Sequence, residues 1–83
     1  MTEYLFTFQS LTQAQSGLSI LKKRGIFAEL RRTPKPLASR GCGYSIAVGE
    51  QTVRSAAATL HGYGFDYNRV YRHRNGTVEE VLL

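Results

Sequence analysis

The chain has 83 residues and is short of the residue types that most often announce a function: one cysteine, two histidines, two prolines and six carboxylates. A single cysteine permits no internal disulfide and no cysteine-rich metal centre, so Cys42 is expected as a free thiol. His61, His73 and the scattered carboxylates show none of the paired spacings that zinc or iron sites use. No metal and no cofactor are therefore expected. No apolar run approaches the roughly 18 residues that a spanning helix needs, so no membrane association is expected. The opening Met1-Thr2-Glu3-Tyr4 lacks the basic start and apolar stretch of a signal peptide, and a cytoplasmic address follows by default. A chain this short leaves no room for a second domain, which makes residues 1–83 one domain of modest core. The formal charge of +5 would suit a polyanion, but an ordinary Lys and Arg excess on a solvated surface explains it as well, and nucleic acid is not the expected partner.

What is present concentrates in one stretch. Pro34 to Gly43 holds both prolines, two of the glycines and the only cysteine. Proline cannot donate to a sheet ladder and biases its predecessor away from helix, so Thr33-Pro34 and Lys35-Pro36 end whatever precedes them and demand a loop.

The flanks read as scaffold. Tyr4 to Phe8 is short and rich in aromatic, β-favouring residues, a first strand. Ser10 with Gln13 matches a capping box, and Leu11, Ala14, Leu18 and Leu21 recur at helical spacing up to Lys22-Lys23-Arg24 and the stop at Gly25. Ile26, Ala28 and Leu30 alternate with Phe27, Glu29 and Arg31 in a second strand ending near Thr33. Tyr44, Ile46 and Val48 alternate with Ser45 and Ala47 in a third. Gln51 to His61 carries Val53, Ala56, Ala57 and Leu60 on one helical face, ended by Gly62 and Gly64. Tyr67 to Arg74 reads as a fourth strand, and Asn75-Gly76 is a strong two-residue hairpin signal. A returning strand over 77–82 would set Arg72 opposite Glu79 and Val70 opposite Val81; the alternative for these last residues is an irregular tail. The order β-α-β-β-α-β is the split βαβ pattern of a ferredoxin-like α+β sandwich, an antiparallel sheet with two helices on one face and an optional extra C-terminal strand.

Cys42 leads the candidates for chemistry. Gly41 and Gly43 let the backbone adopt conformations closed to other residues, so the thiol can project from a tight turn toward amide hydrogens. Arg40 adds a positive charge that favours the thiolate, the nucleophilic form. The competing reading is that a free cysteine simply fills space in the core. A cysteine hydrolase would need a base and an orienting group, and neither histidine is placed for it. His61 sits at a helix end, and His73 lies between Arg72 and Arg74. The glycines form no dinucleotide fingerprint or phosphate loop, because Gly-Cys-Gly runs into a strand where those motifs open a helix. Arg31, Arg32, Lys35 and Arg40 surround Cys42 in sequence and could receive an anionic sulfur species, or could be a solvated edge.

With these residues placed, the chain from about Tyr4 to Tyr71 resembles a small bacterial family of selenium/sulfur carrier-protein-like domains. The resemblance rests on Tyr4-Leu5-Phe6-Thr7-Phe8 and Ser10, the helix with Ala14 ending in Lys22-Lys23-Arg24-Gly25-Ile26, Thr33-Pro34, and Gly41-Cys42-Gly43. It implies that Cys42 accepts sulfur or selenium as a persulfide or selenosulfide and hands it on between protein donors and acceptors, acting as a carrier more than as a stand-alone enzyme. Two departures stand out: Ala47 occupies the position nearest to an arginine that members often carry after Cys-Gly, and the Asn75-Gly76 extension exceeds their usual ending. The alternative is a non-catalytic interaction domain that pairs with itself, or with another protein, through a sheet edge.

Overall fold

In the computed structural model, which describes residues 2–37 and 43–83, β1 (Thr2–Phe8) leads into α1 (Leu11–Lys23) and β2 (Ala28–Arg32). A short 3-10 turn (Lys35–Leu37) precedes β3 (Tyr44–Gly49), α2 (Val53–Gly62), β4 (Val70–Arg74) and β5 (Thr77–Val81). The strands lie in the order β2-β3-β1-β4-β5, and every neighbouring pair is antiparallel. Strands flanking each helix are separated by one intervening strand, the split βαβ arrangement, so the fold is an α+β sandwich of ferredoxin-like form with a fifth strand added at the β4 edge. Among the described residues no helix is long and apolar enough to cross a membrane.

Both helices pack on the same face of the sheet. Tyr4, Phe6 and Phe8 of β1 lie in register with Val48, Ile46 and Tyr44 of β3; all of this row but the half-buried Tyr44 is buried with Ala14 and Leu21 of α1 and Val53, Ala56, Ala57 and Leu60 of α2. Gly17, rather than Leu11, completes the buried stripe of α1. Leu11 is 38% exposed, while a Cβ on Gly17 would sit 3.2 Å from both Ile46 Cδ1 and Leu60 Cδ2. The helix approaches the sheet and its neighbour so closely there that any side chain would have to displace both of those methyl groups.

The two helices end in the same way. Ile26 N–H donates to Leu21 O and Gly25 N–H to Lys22 O, and Phe65 N–H donates to Leu60 O and Gly64 N–H to His61 O. These are paired Schellman closures, with Gly25 at φ 77° and Gly64 at φ 78° in the left-handed region. At the other end of α1 the Ser10 hydroxyl accepts from Gln13 N–H at 3.1 Å, as the capping motif requires.

Two expectations are corrected, and one left open between two alternatives is settled. Ser45 and Ala47, expected to alternate with the buried positions of β3, are themselves buried at 0% and 4% exposure. Their small size lets longer side chains close over them: Arg31 of β2 reaches across β3 to Glu3 of β1 at 2.5 Å and also bonds Glu29, and His73 of β4 lies 3.3 Å from the same Glu3 carboxylate. The fourth strand starts at Val70 rather than Tyr67, because the Tyr67 ring stacks on Phe6, centroids 4.8 Å apart, while Asn68 N–H and Arg69 O bond the backbone of Thr7. The last residues form a strand and not an irregular tail, with Arg72 opposite Glu79 and Val70 opposite Val81. Asn75 and Gly76, at φ 50° and 80°, make the tight turn.

Candidate functional site

The connection from β2 to β3 is the place where sequence reasoning put the chemistry. Its base is well defined. Thr33 N–H donates to Gly43 O at 3.0 Å, extending the β2–β3 ladder one residue past Arg32 and Tyr44. On the β2 side, Leu37 N–H donates to Pro34 O at 2.8 Å, so the proline that ends the strand also opens the 3-10 turn. Arg40, Gly41 and Cys42 lie outside the described residues, and of the named site residues only Gly43 is described.

Gly43 is not in the left-handed region, and a Cβ there would meet nothing within 4 Å. Its pairing with Thr33 holds it as a continuation of the ladder, so the conformational freedom expected of it is not used at this position.

Around this base the side chains sort themselves by face. Thr33 and Ser45 follow the pleat of Arg31, on the side of the sheet away from the helices. Both are buried, at 6% and 0% exposure, and neither hydroxyl has a hydrogen-bond partner among the described residues. Thr7, directly opposite Ser45 in β1, is satisfied: its hydroxyl accepts from Arg69 N–H and donates to Arg69 O. On the helix side the Arg32 guanidinium stands 5.8 Å from the centre of the Tyr44 ring, a cation–π contact beside the loop base.

The described members of the basic group around Cys42 in sequence, Arg31, Arg32 and Lys35, are therefore not one patch. Arg31 is engaged by two carboxylates, Arg32 lies over an aromatic ring, and Lys35 is exposed in the 3-10 turn. The histidines have partners of their own. His61 Nε2 is 2.8 Å from Tyr67 Oη, and burial pushes the Tyr67 hydroxyl above its usual range. His73 faces Glu3. Among the described residues no group of three or more His, Cys, Asp or Glu side chains could hold a metal ion.

Two features were missed by sequence reasoning. The unpartnered hydroxyls of Thr33 and Ser45 had no sequence signal, since both residues are common in strands. Phe27, 76% exposed beside the edge strand β2, could have been found, because the alternation that turns Ala28 and the half-buried Leu30 toward the core turns Phe27 outward with Glu29.

A family described as Putative Se/S carrier protein-like matches residues 3–72. The chain belongs to that family. The match spans β1 through the middle of β4 and includes the whole β2–β3 connection, while β5 lies beyond it. Among curated proteins and among solved structures, nothing gives a significant match.

Proposed function

We propose that the protein is a sulfur or selenium carrier that holds the atom on Cys42 as a persulfide or selenosulfide and passes it between protein partners. The family match across the connection that holds the chain's only thiol carries this reading. In the exchange, the Cys42 thiolate attacks the outer sulfur of a donor persulfide, R–S–SH. A new S–S bond forms on Cys42 as the donor S–S bond breaks, and the donor leaves as its thiolate, R–S⁻. No net oxidation occurs. A donor R–S–SeH gives the selenosulfide by the same displacement. An acceptor nucleophile then takes the outer atom and frees Cys42 as thiolate, so the carrier turns over without a cofactor.

The scaffold supports this role by tethering. The Thr33–Gly43 bond fixes the two ends of the connection to the sheet, and Gly43 carries no side chain into the adjoining space. Arg40 is assigned to favour the thiolate and Gly41 to shape the turn. The reading places the protein in the cytoplasm, where thiols stay reduced. The test is intact mass after incubation with a low-molecular-weight persulfide, comparing the protein with Cys42→Ser.

A further inference from the structure

β2 is an edge strand, and its sequence is complementary to itself. Thr33 N–H points at β3, and the unbulged register of β2 on β3 makes Glu29 and Arg31 point the same way. The backbone N–H and C=O groups of Ala28, Leu30 and Arg32 therefore face away from the sheet. An edge of this kind is a template for another strand.

The charges on the strand select which strand fits. Paired residues in an antiparallel ladder share the same hydrogen-bonding sense, so a two-fold contact of β2 with itself centres on a residue, not between residues. A centre at Glu29 sets Glu29 against Glu29, and a centre at Arg31 sets Arg31 against Arg31, both like-charge contacts. A centre at Leu30 sets Glu29 against Arg31 in both directions and aligns the outward groups of Leu30 with Leu30 and of Ala28 with Arg32. The same register brings Phe27 of a second copy beside Thr33, giving the exposed ring a neighbour. The other sheet edge, β5, offers no such match: Glu79 and Glu80 are adjacent and the strand carries no cation.

We propose that β2 is a homodimer interface, two copies pairing antiparallel about Leu30 with Glu29–Arg31 pairs on either side, so that the two five-stranded sheets become one. This surface is independent of the carrier reading and stands or falls without it. It places Thr33, the base of the Cys42 segment, at the seam between subunits.

The test is mass by light scattering across a concentration series at low salt, on the full chain. A dimer is expected. Arg32→Pro removes an outward-facing N–H that bonds no backbone group among the described residues and should weaken the dimer about tenfold or more. Glu29→Lys sets like charges against each other and should weaken it similarly, and adding Arg31→Glu to Glu29→Lys should restore it to within a few-fold. A thermal melt on each variant separates loss of pairing from loss of fold. A monomer throughout the series, a dimer indifferent to Arg32→Pro, or masses that climb past the dimer, as a head-to-tail contact of β2 with β5 would give, would each overturn the proposal.

Discussion

Ser45→Ala should stabilise this protein. The Ser45 side chain is fully buried and its hydroxyl has no hydrogen-bond partner among the described residues. In the unfolded chain that hydroxyl is hydrated, so folding strips it of water and returns nothing. An unsatisfied buried polar group costs about 1–3 kcal/mol. Removing the oxygen leaves a void of roughly 15 Å³, which at about 24 cal/mol per Å³ costs only about 0.4 kcal/mol. The balance favours alanine by about 1 kcal/mol or a little more, equivalent to a rise in Tm of about 4–8 °C for a domain of this size. Thr33→Val extends the argument without the void, because valine keeps the branched shape while the Thr33 N–H still bonds Gly43 O. Urea denaturation read by circular dichroism measures both variants, with an unchanged slope showing that the unfolded state is unaltered. A loss of 1 kcal/mol or more in either would show that the hydroxyl has a partner in solution, and the reasoning from burial would fail.

Gly17→Ala gains about 1 kcal/mol of helix propensity, but its Cβ meets Ile46 Cδ1 and Leu60 Cδ2 at 3.2 Å. Those atoms are ends of flexible side chains, so the variant should fall within about 1 kcal/mol of the parent, whereas Gly17→Val should lose about 2 kcal/mol or more in the same denaturation assay. The hydrogen bond from Arg72, and then its charge, hold the Glu79 carboxyl below its usual pKa of 4.5. A depressed folded-state pKa stabilises the fold above the unfolded value and stops doing so as pH falls through the folded one. Thermal melts from pH 6 downward should therefore show a loss of stability below about pH 4.5 that Glu79→Gln reduces.

Much of the scaffold was legible because its signals are local. Ser10 and Gln13 marked the start of α1, Gly25 its left-handed stop and Gly62 with Gly64 the end of α2, where Gly64 alone takes the left-handed conformation, and Asn75-Gly76 gave the β4–β5 register for the strand whose alternative was a tail. Periodicity went wrong where a residue's surroundings come from distant strands. Ser45 and Ala47 read as alternating partners of a half-buried strand, and nothing local shows that Arg31 and Glu3, 28 residues apart, meet above them. Tyr67 read as strand because aromatic residues favour strands, while its ring is used to cover Phe6. Leu11 looked like the head of the buried stripe and Gly17 gave no signal, because a scale of hydrophobicity does not register that close packing of three elements favours the smallest residue. At the candidate site, the breaks imposed by Pro34 and Pro36 and the identity of the only thiol were plain in the sequence. The ladder pairing of Gly43 was not, since glycine before a strand reads equally as turn or as strand.

The central claim is that Cys42 carries a transferable sulfur or selenium atom. Intact mass spectrometry of the reduced protein, after brief exposure to glutathione persulfide and removal of excess reagent, tests it most directly. The account predicts the addition of one sulfur atom, its absence in Cys42→Ser, and its loss on adding a thiol acceptor with return of the starting mass. A chain that stays at its starting mass would contradict the account, as would one that takes up sulfur equally well without Cys42.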